Sequence, residues 1–196
     1  MSSTPASPTD FDDAVLGLGL PPGAEAALRE AGQLREDAPL AMAALMRAKA
    51  LAPEHPAVLI AFYRHHFYGH RLAAARDVAR QALAVGAQQL GLPAVWRDVP
   101  ERALFGAKDD ATTRFYLFVL KGYAYLSLRL EDNVEARDAL AKLSRLDPDD
   151  CVGGALLEAV RQRSERGDSE DGEGPALPAF GAAAWARVQA SAGAGT

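Results

Sequence analysis

The residues best suited to chemistry are four histidines, one cysteine and a few close acid pairs. His65, His66 and His70 cluster, and His55 lies just upstream. His66 and His70 stand four apart, a spacing that sets two imidazoles on one helical face where a metal ion could be held. No HExxH and no neighbouring carboxylate pattern accompanies them, so the pair is a weak metal candidate. His70 also coincides with an expected turn, and packed or solvent-facing histidines are the plainer expectation. Cys151 falls at an expected helix start among Asp147, Asp149 and Asp150. Those charges raise a thiol pKa and oppose a nucleophilic role. Asp109 and Asp110 read as a cap for the helix behind them. No GxSxG, P-loop, Rossmann fingerprint or CxxC occurs. The expectation is a protein that is not an enzyme, with no catalytic residue and no cofactor.

Bulk properties point the same way. The 196 residues are enough for one or two domains with a real core. The chain is 49% hydrophobic and rich in Ala and Leu, which favours helix. A net charge of −5 gives no basic excess for a polyanion, so nucleic acid is not an expected partner. A single cysteine excludes an internal disulfide and a cysteine-cluster metal site, and suits a reducing cytoplasm. The stretch MSSTPASPT lacks the features of a signal peptide. No apolar run reaches transmembrane length, so no membrane is expected.

The elements that must position any site are helical. Phe115 to Asp149 reads as two amphipathic helices joined at Glu131-Asp132-Asn133 and closed by Pro148. Leu117, Leu120, Tyr123, Ala124 and Ser127 line one face of the first. Ala136, Leu140, Leu143 and Leu146 line the second. Upstream, 24–36 and 40–51 form a pair, with Asp37 as the cap between them and Pro53 at its end. A second pair covers 56–68 and 72–85, with Gly69-His70-Arg71 as its turn. Counted forward by 34 residues, Ala41 falls on Ala75, Leu45 on Ala79 and Ala48 on Ala82. An insertion over about 88–113 follows, with Trp96, Leu104 and Phe105 expected to pack and a short helix expected near Pro100. Cys151 to Arg166 reads as one helix, with Leu156, Leu157 and Val160 inward and Arg161, Arg163 and Arg166 outward. Residues 1–22 are expected to be a tail and short helix, 167–178 an acidic linker, and 179–196 a last helix and tail carrying Phe180, Trp185 and Val188.

These pairs resemble tetratricopeptide repeats (TPR), 34-residue helix–turn–helix units. The resemblance implies an all-α array of about three repeats (23–53, 56–87 and 115–148). The insertion interrupts repeats two and three, and 151–166 caps the TPR domain of 23–166. The fit departs from the family at Ala124 and Ser127, where it prefers glycine and tyrosine. First helices in the family line a concave binding face. Carried over, the groove positions are Ile60, Arg64, Phe67 and Tyr68 in repeat two, and Phe118, Lys121, Tyr125 and Arg129 in repeat three. In repeat one they are Ala26, Glu30 and Gln33. Cations interleaved with aromatics suit an acidic, partly apolar protein segment. The competing expectation is that Phe67, Tyr68 and Tyr125 pack against the chain's own insertion or C-terminal helix. The asparagine-based clamp that reads chaperone C-termini is absent, since Asn133 is the only asparagine and lies in a turn.

A narrower resemblance rests on HPAVLIAFYRHHFYGHRLAAARDVARQAL, LGLPAVWRDV and RFYLFVLKGYAYLSLRL. These runs are similar to a small group of proteobacterial TPR proteins encoded beside nitrogen-fixation genes. That resemblance implies a cytoplasmic accessory protein contacting nitrogenase, its reductase or a maturation factor. Two alternatives stand beside it. A TPR-type secretion chaperone would cradle an effector or translocator peptide in the same groove, although that class generally lacks the insertion. A metal-binding protein would use His66 and His70.

Overall fold

The computed structural model describes residues 19–101 and 110–166. These form seven α-helices and one short 3-10 turn, with no strand among the described residues. The helices are α1 (Pro22–Gln33), α2 (Ala38–Leu51), α3 (Pro56–Tyr68), α4 (Leu72–Gln89), α5 (Ala111–Arg129), α6 (Asn133–Leu146) and α7 (Ala155–Glu165). They pack mainly as sequence neighbours, α1 on α2, α3 on α4, α4 on α5 and α5 on α6.

Local chemistry fixes the helix starts. Asp37 accepts a hydrogen bond from the Leu40 amide at 3.1 Å, and Asp110 from the Thr113 amide at 2.7 Å. Asp132 does the same for Glu135, at 3.4 Å. Each satisfies an amide that the helix itself leaves without an acceptor. Pro22, Pro39 and Pro56 sit in first turns, where a missing N–H costs nothing.

The α3–α4 and α5–α6 turns share one geometry. His70 and Glu131 both take a left-handed backbone, at φ 56° and 61°. Behind them, the Arg71 amide donates to the His66 carbonyl and the Asp132 amide to the Ser127 carbonyl, each at 2.9 Å. This bond closes a helix whose next residue has turned left-handed. The helices leaving the three turns begin at 38, 72 and 133, and the first two starts are 34 residues apart. Equivalent positions bury equivalent residues: Ala41, Ala75 and Ala136 are at most 1% exposed. Leu45, Ala79 and Leu140 are likewise buried, as are Ala48, Ala82 and Leu143. A small residue at the first of these positions lets two helix backbones approach closely.

Helix α5 is the centre of the molecule. Phe115, Tyr116, Leu117, Leu120, Tyr123, Ala124, Tyr125 and Leu126 are all buried, so every side of it meets protein. Its α4 side closes tightly, because Gly86 lies against Phe115 and Tyr116. The segment after α4 folds across α5 and α6. Trp96 packs on Tyr123 with ring centroids 6.2 Å apart. Arg97 lies over the Trp96 ring and pairs with Glu135. Lys142 Nζ donates to the Val99 carbonyl at 2.8 Å. The helix expected near Pro100 falls largely on residues outside the described ones, as do Leu104, Phe105, the first 18 residues and 167–196.

Three expectations change. Helix α4 runs to Gln89, because Val85, Gly86 and Ala87 are buried against α5 and keep the helix going. Cys151 is not at a helix start. It lies in an exposed turn, and α7 begins at Ala155 after Asp150 Oδ1 has accepted from the Gly154 and Ala155 amides. In α7 Leu157 is inward, but Leu156 is 58% exposed and Arg161 only 6%. Arg161 lies inward because its charge is met on its own helix. Glu158 accepts from Nε and Nη2 at 2.8 and 2.7 Å, and Glu165 lies 2.6 Å from Nη1 as an ion pair. A paired guanidinium with a long apolar stem can replace a leucine under the rim of a core.

Candidate functional site

Helices α1, α2 and α3 enclose an open groove of about 470 Å³. Its floor is apolar, made by Leu28 of α1, Ala41 and Leu45 of α2, and Ala57, Ile60 and Ala61 of α3. Its rim carries Arg35, Arg64, His65, Tyr68 and Arg71. No lining residue has a carboxylate. The α3 members recur at 57, 60, 61, 64, 65 and 68, the spacing of one helix face.

Small side chains make the space. The inward residues of α1 are Ala24, Ala27 and Ala31, and Gly32 lies beside the groove. Two long α1 and α2 side chains are tied away from it, because Glu30 pairs with Arg47 across the outside of the hairpin. Among the described residues, neither Arg35 nor Arg64 pairs with a carboxylate. Arg71 donates from Nε to His66 Nδ1 at 3.1 Å. Burial and the Arg71 cation together hold His65 and His66 below the ordinary histidine pKa. Both imidazoles are therefore neutral near pH 7, and the permanent positive charge of the rim belongs to the arginines.

The residues expected to form one groove divide. Ile60, Arg64 and Tyr68 line this groove, and Tyr68 is 59% exposed. Phe67 turns the other way, stacking on Tyr63 at 5.9 Å and meeting Tyr125 at 6.0 Å. Tyr125 is 2% exposed, so its face is not open to another polypeptide. Its hydroxyl accepts from Arg129 Nη1 at 2.9 Å. Arg129 stays at the surface over the Tyr125 ring. Lys121 lies beneath the α6–α7 connection and donates to the Val152 carbonyl. Burial lowers its pKa despite the nearby Asp150 and Asp147 carboxylates. Phe118 is half-buried beside it, with the ammonium 5.4 Å from its ring. The α5 half of the expected face is thus closed by the chain itself, through Phe67 on one side and residues 150–154 on the other.

Of the positions expected in the first hairpin, Ala26, Glu30 and Gln33 are exposed and lie outside the groove lining. Arg35, His65, Arg71 and the alanine floor were not foreseen. The 57-60-61-64-65-68 stripe is present in the sequence, and following it instead of Phe67 finds His65, Ala57 and Ala61 but not Arg35, Arg71 or Ala41.

His66 Nδ1 is occupied by Arg71, and His70 is exposed at the left-handed turn position. Among the described residues no group of three His, Cys, Asp or Glu side chains is placed to hold a metal ion. No described helix is long and apolar enough to cross a membrane.

No protein-family model matches the chain, and no solved structure matches it. The chain is similar to an uncharacterized 19.8 kDa protein in the nifW 5′ region of Azotobacter chroococcum mcd 1, with 39% identity over 115 residues. The match covers 58% of this chain and 64% of that protein, so the chain spans just under two thirds of this relative.

Proposed function

We propose that this chain is a non-catalytic, protein-binding adaptor of the tetratricopeptide type, acting in the cytoplasm as an accessory factor to nitrogen fixation. In this reading it contacts a nitrogenase component or a nitrogenase maturation protein through the groove of α1, α2 and α3. The groove carries the proposal: an apolar floor under a rim of arginines, with no carboxylate in the lining. Such a surface favours an acidic segment with one or two large apolar side chains. The repeat reading is supported by the 34-residue offset of α2 and α4, the shared turns at His70 and Glu131, and the recurring buried alanines. The nitrogen-fixation setting is supported by the relative in the nifW 5′ region.

The test is affinity capture with the tagged full chain in nitrogen-fixing cells, grown with and without fixed nitrogen. Nitrogenase or maturation proteins should be recovered from the fixing cells and lost with Arg64→Glu. Recovery of the same proteins by Arg64→Glu at wild-type yield would remove the groove. Recovery of secretion substrates instead would remove the nitrogen-fixation setting.

A further inference from the structure

The groove has a complement within the same chain. Beyond Arg166 the sequence supplies Asp168, Glu170, Asp171 and Glu173 with no intervening cation, followed by Phe180 and Trp185. Four carboxylates ahead of two large aromatics match a rim of arginines above an apolar floor. We propose that residues 168–188 dock in the groove in cis, with the carboxylates against Arg35, Arg64 and Arg71 and an aromatic on Leu28, Leu45 and Ile60. The tail then competes with the outside protein for one site. This inference rests on the groove being the binding site.

Three observations support it. Arg35 and Arg64 have no carboxylate partner among the described residues, and the groove supplies none. The volume of about 470 Å³ is in the range that takes one or two large side chains. The reach is sufficient. The helices pack in series from α3 to α7, and four steps of about 8–10 Å put α7 at most about 40 Å from α3. The chain from Arg166 to Trp185 spans up to about 60 Å when extended. A tether of that length raises the local concentration of the tail to about the millimolar range, enough to hold a weak contact closed.

The chain has two tryptophans, Trp96 and Trp185, so Trp96→Phe makes Trp185 the only tryptophan, read by exciting at the red edge where tyrosine does not absorb. In this variant of the full chain, acrylamide should quench Trp185 at least threefold less efficiently than in urea. Adding Arg35→Glu and Arg64→Glu should restore quenching to the urea level while far-UV circular dichroism is unchanged. A second variant leaves Trp96 in place: Glu170→Lys with Asp171→Lys should increase the quenchable fraction of total emission. Trp185 quenched as in urea before any groove change overturns the proposal. Protection that grows with protein concentration also overturns it, because a second copy would then supply the tail. If Trp185 is open yet Arg64→Glu still abolishes partner capture, cis docking falls and the groove stands. If Trp185 is open and capture is unaffected, both fall.

Discussion

Trp96→Ala should be among the most destabilising single changes outside the helices. Trp96 is 5% exposed and packs on Tyr123, and its ring carries Arg97 at 4.3 Å. Truncating a buried aromatic to alanine costs about 3–5 kcal/mol, through lost transfer energy and an incompletely collapsed cavity. The stacked guanidinium adds about 0.5–1 kcal/mol. Arg97 keeps Glu135 as an ion-pair partner, and Lys142 still holds the Val99 carbonyl, so the segment is not wholly released. The expected loss is about 4 kcal/mol, against a typical domain stability of about 5–15 kcal/mol. Arg97→Ala is the control. Its side chain is 46% exposed, and an exposed pair contributes about 1 kcal/mol or less. Urea unfolding followed by circular dichroism measures both, with the slope checked for constancy. A Trp96→Ala loss below about 1 kcal/mol, or one no larger than that of Arg97→Ala, would mean the 90–101 segment does not hold α5 and α6 together.

The remaining predictions concern α7 and the α3–α5 contact. Arg161, then Gln162, donates hydrogen bonds to Glu158 and lowers its pKa, while partial burial opposes the shift. The stability from Glu158 is complete above its unfolded pKa of about 4.5 and is lost as pH falls through the lower folded value. The stability gap between wild type and Glu158→Gln should therefore be constant from pH 5 to 7 and shrink below pH 4; a gap unchanged at pH 3 would refute the pairing. A Cβ on Gly122 would lie 3.2 Å from Tyr63 Oη, which is buried with no hydrogen-bond partner among the described residues. Gly122→Val should cost about 1–3 kcal/mol by overpacking, and Tyr63→Phe in the same chain should recover part of it. Additive losses in that pair would show that the two residues are not in contact. In the capture experiment Arg129→Glu should lose less than Arg64→Glu, since Arg129 lies over Tyr125 and away from the groove.

What the sequence makes legible is local. Asp37, Asp110 and Asp132 announce helix starts because a cap needs only a short side chain three residues from an open amide. Ala41, Ala75 and Ala136 announce helix crossings because only a small residue permits them. Arg161 was misplaced because periodicity assigns a charged residue to solvent and cannot weigh the two glutamates that neutralise it. Tyr125 was placed on an open face by family position, and nothing near it in sequence shows that Phe67 would reach it.

The same balance of bulk decides where the molecule stays open. Where α3 meets α5, Tyr63, Phe67 and Tyr125 fill the space, and Gly122 gives way to the Tyr63 ring. Where α3 meets the first hairpin, the inward residues of α1 are alanines, which cannot reach across. Aromatics close the first space, and alanines leave a trough in the second. Arginines then collect on its rim without carboxylates, although the chain as a whole is acidic. Two carboxylates of the first hairpin do pair with cations, Glu25 with Arg29 and Glu30 with Arg47. A rim that escapes this pairing keeps an attraction for carboxylates that folding has not satisfied.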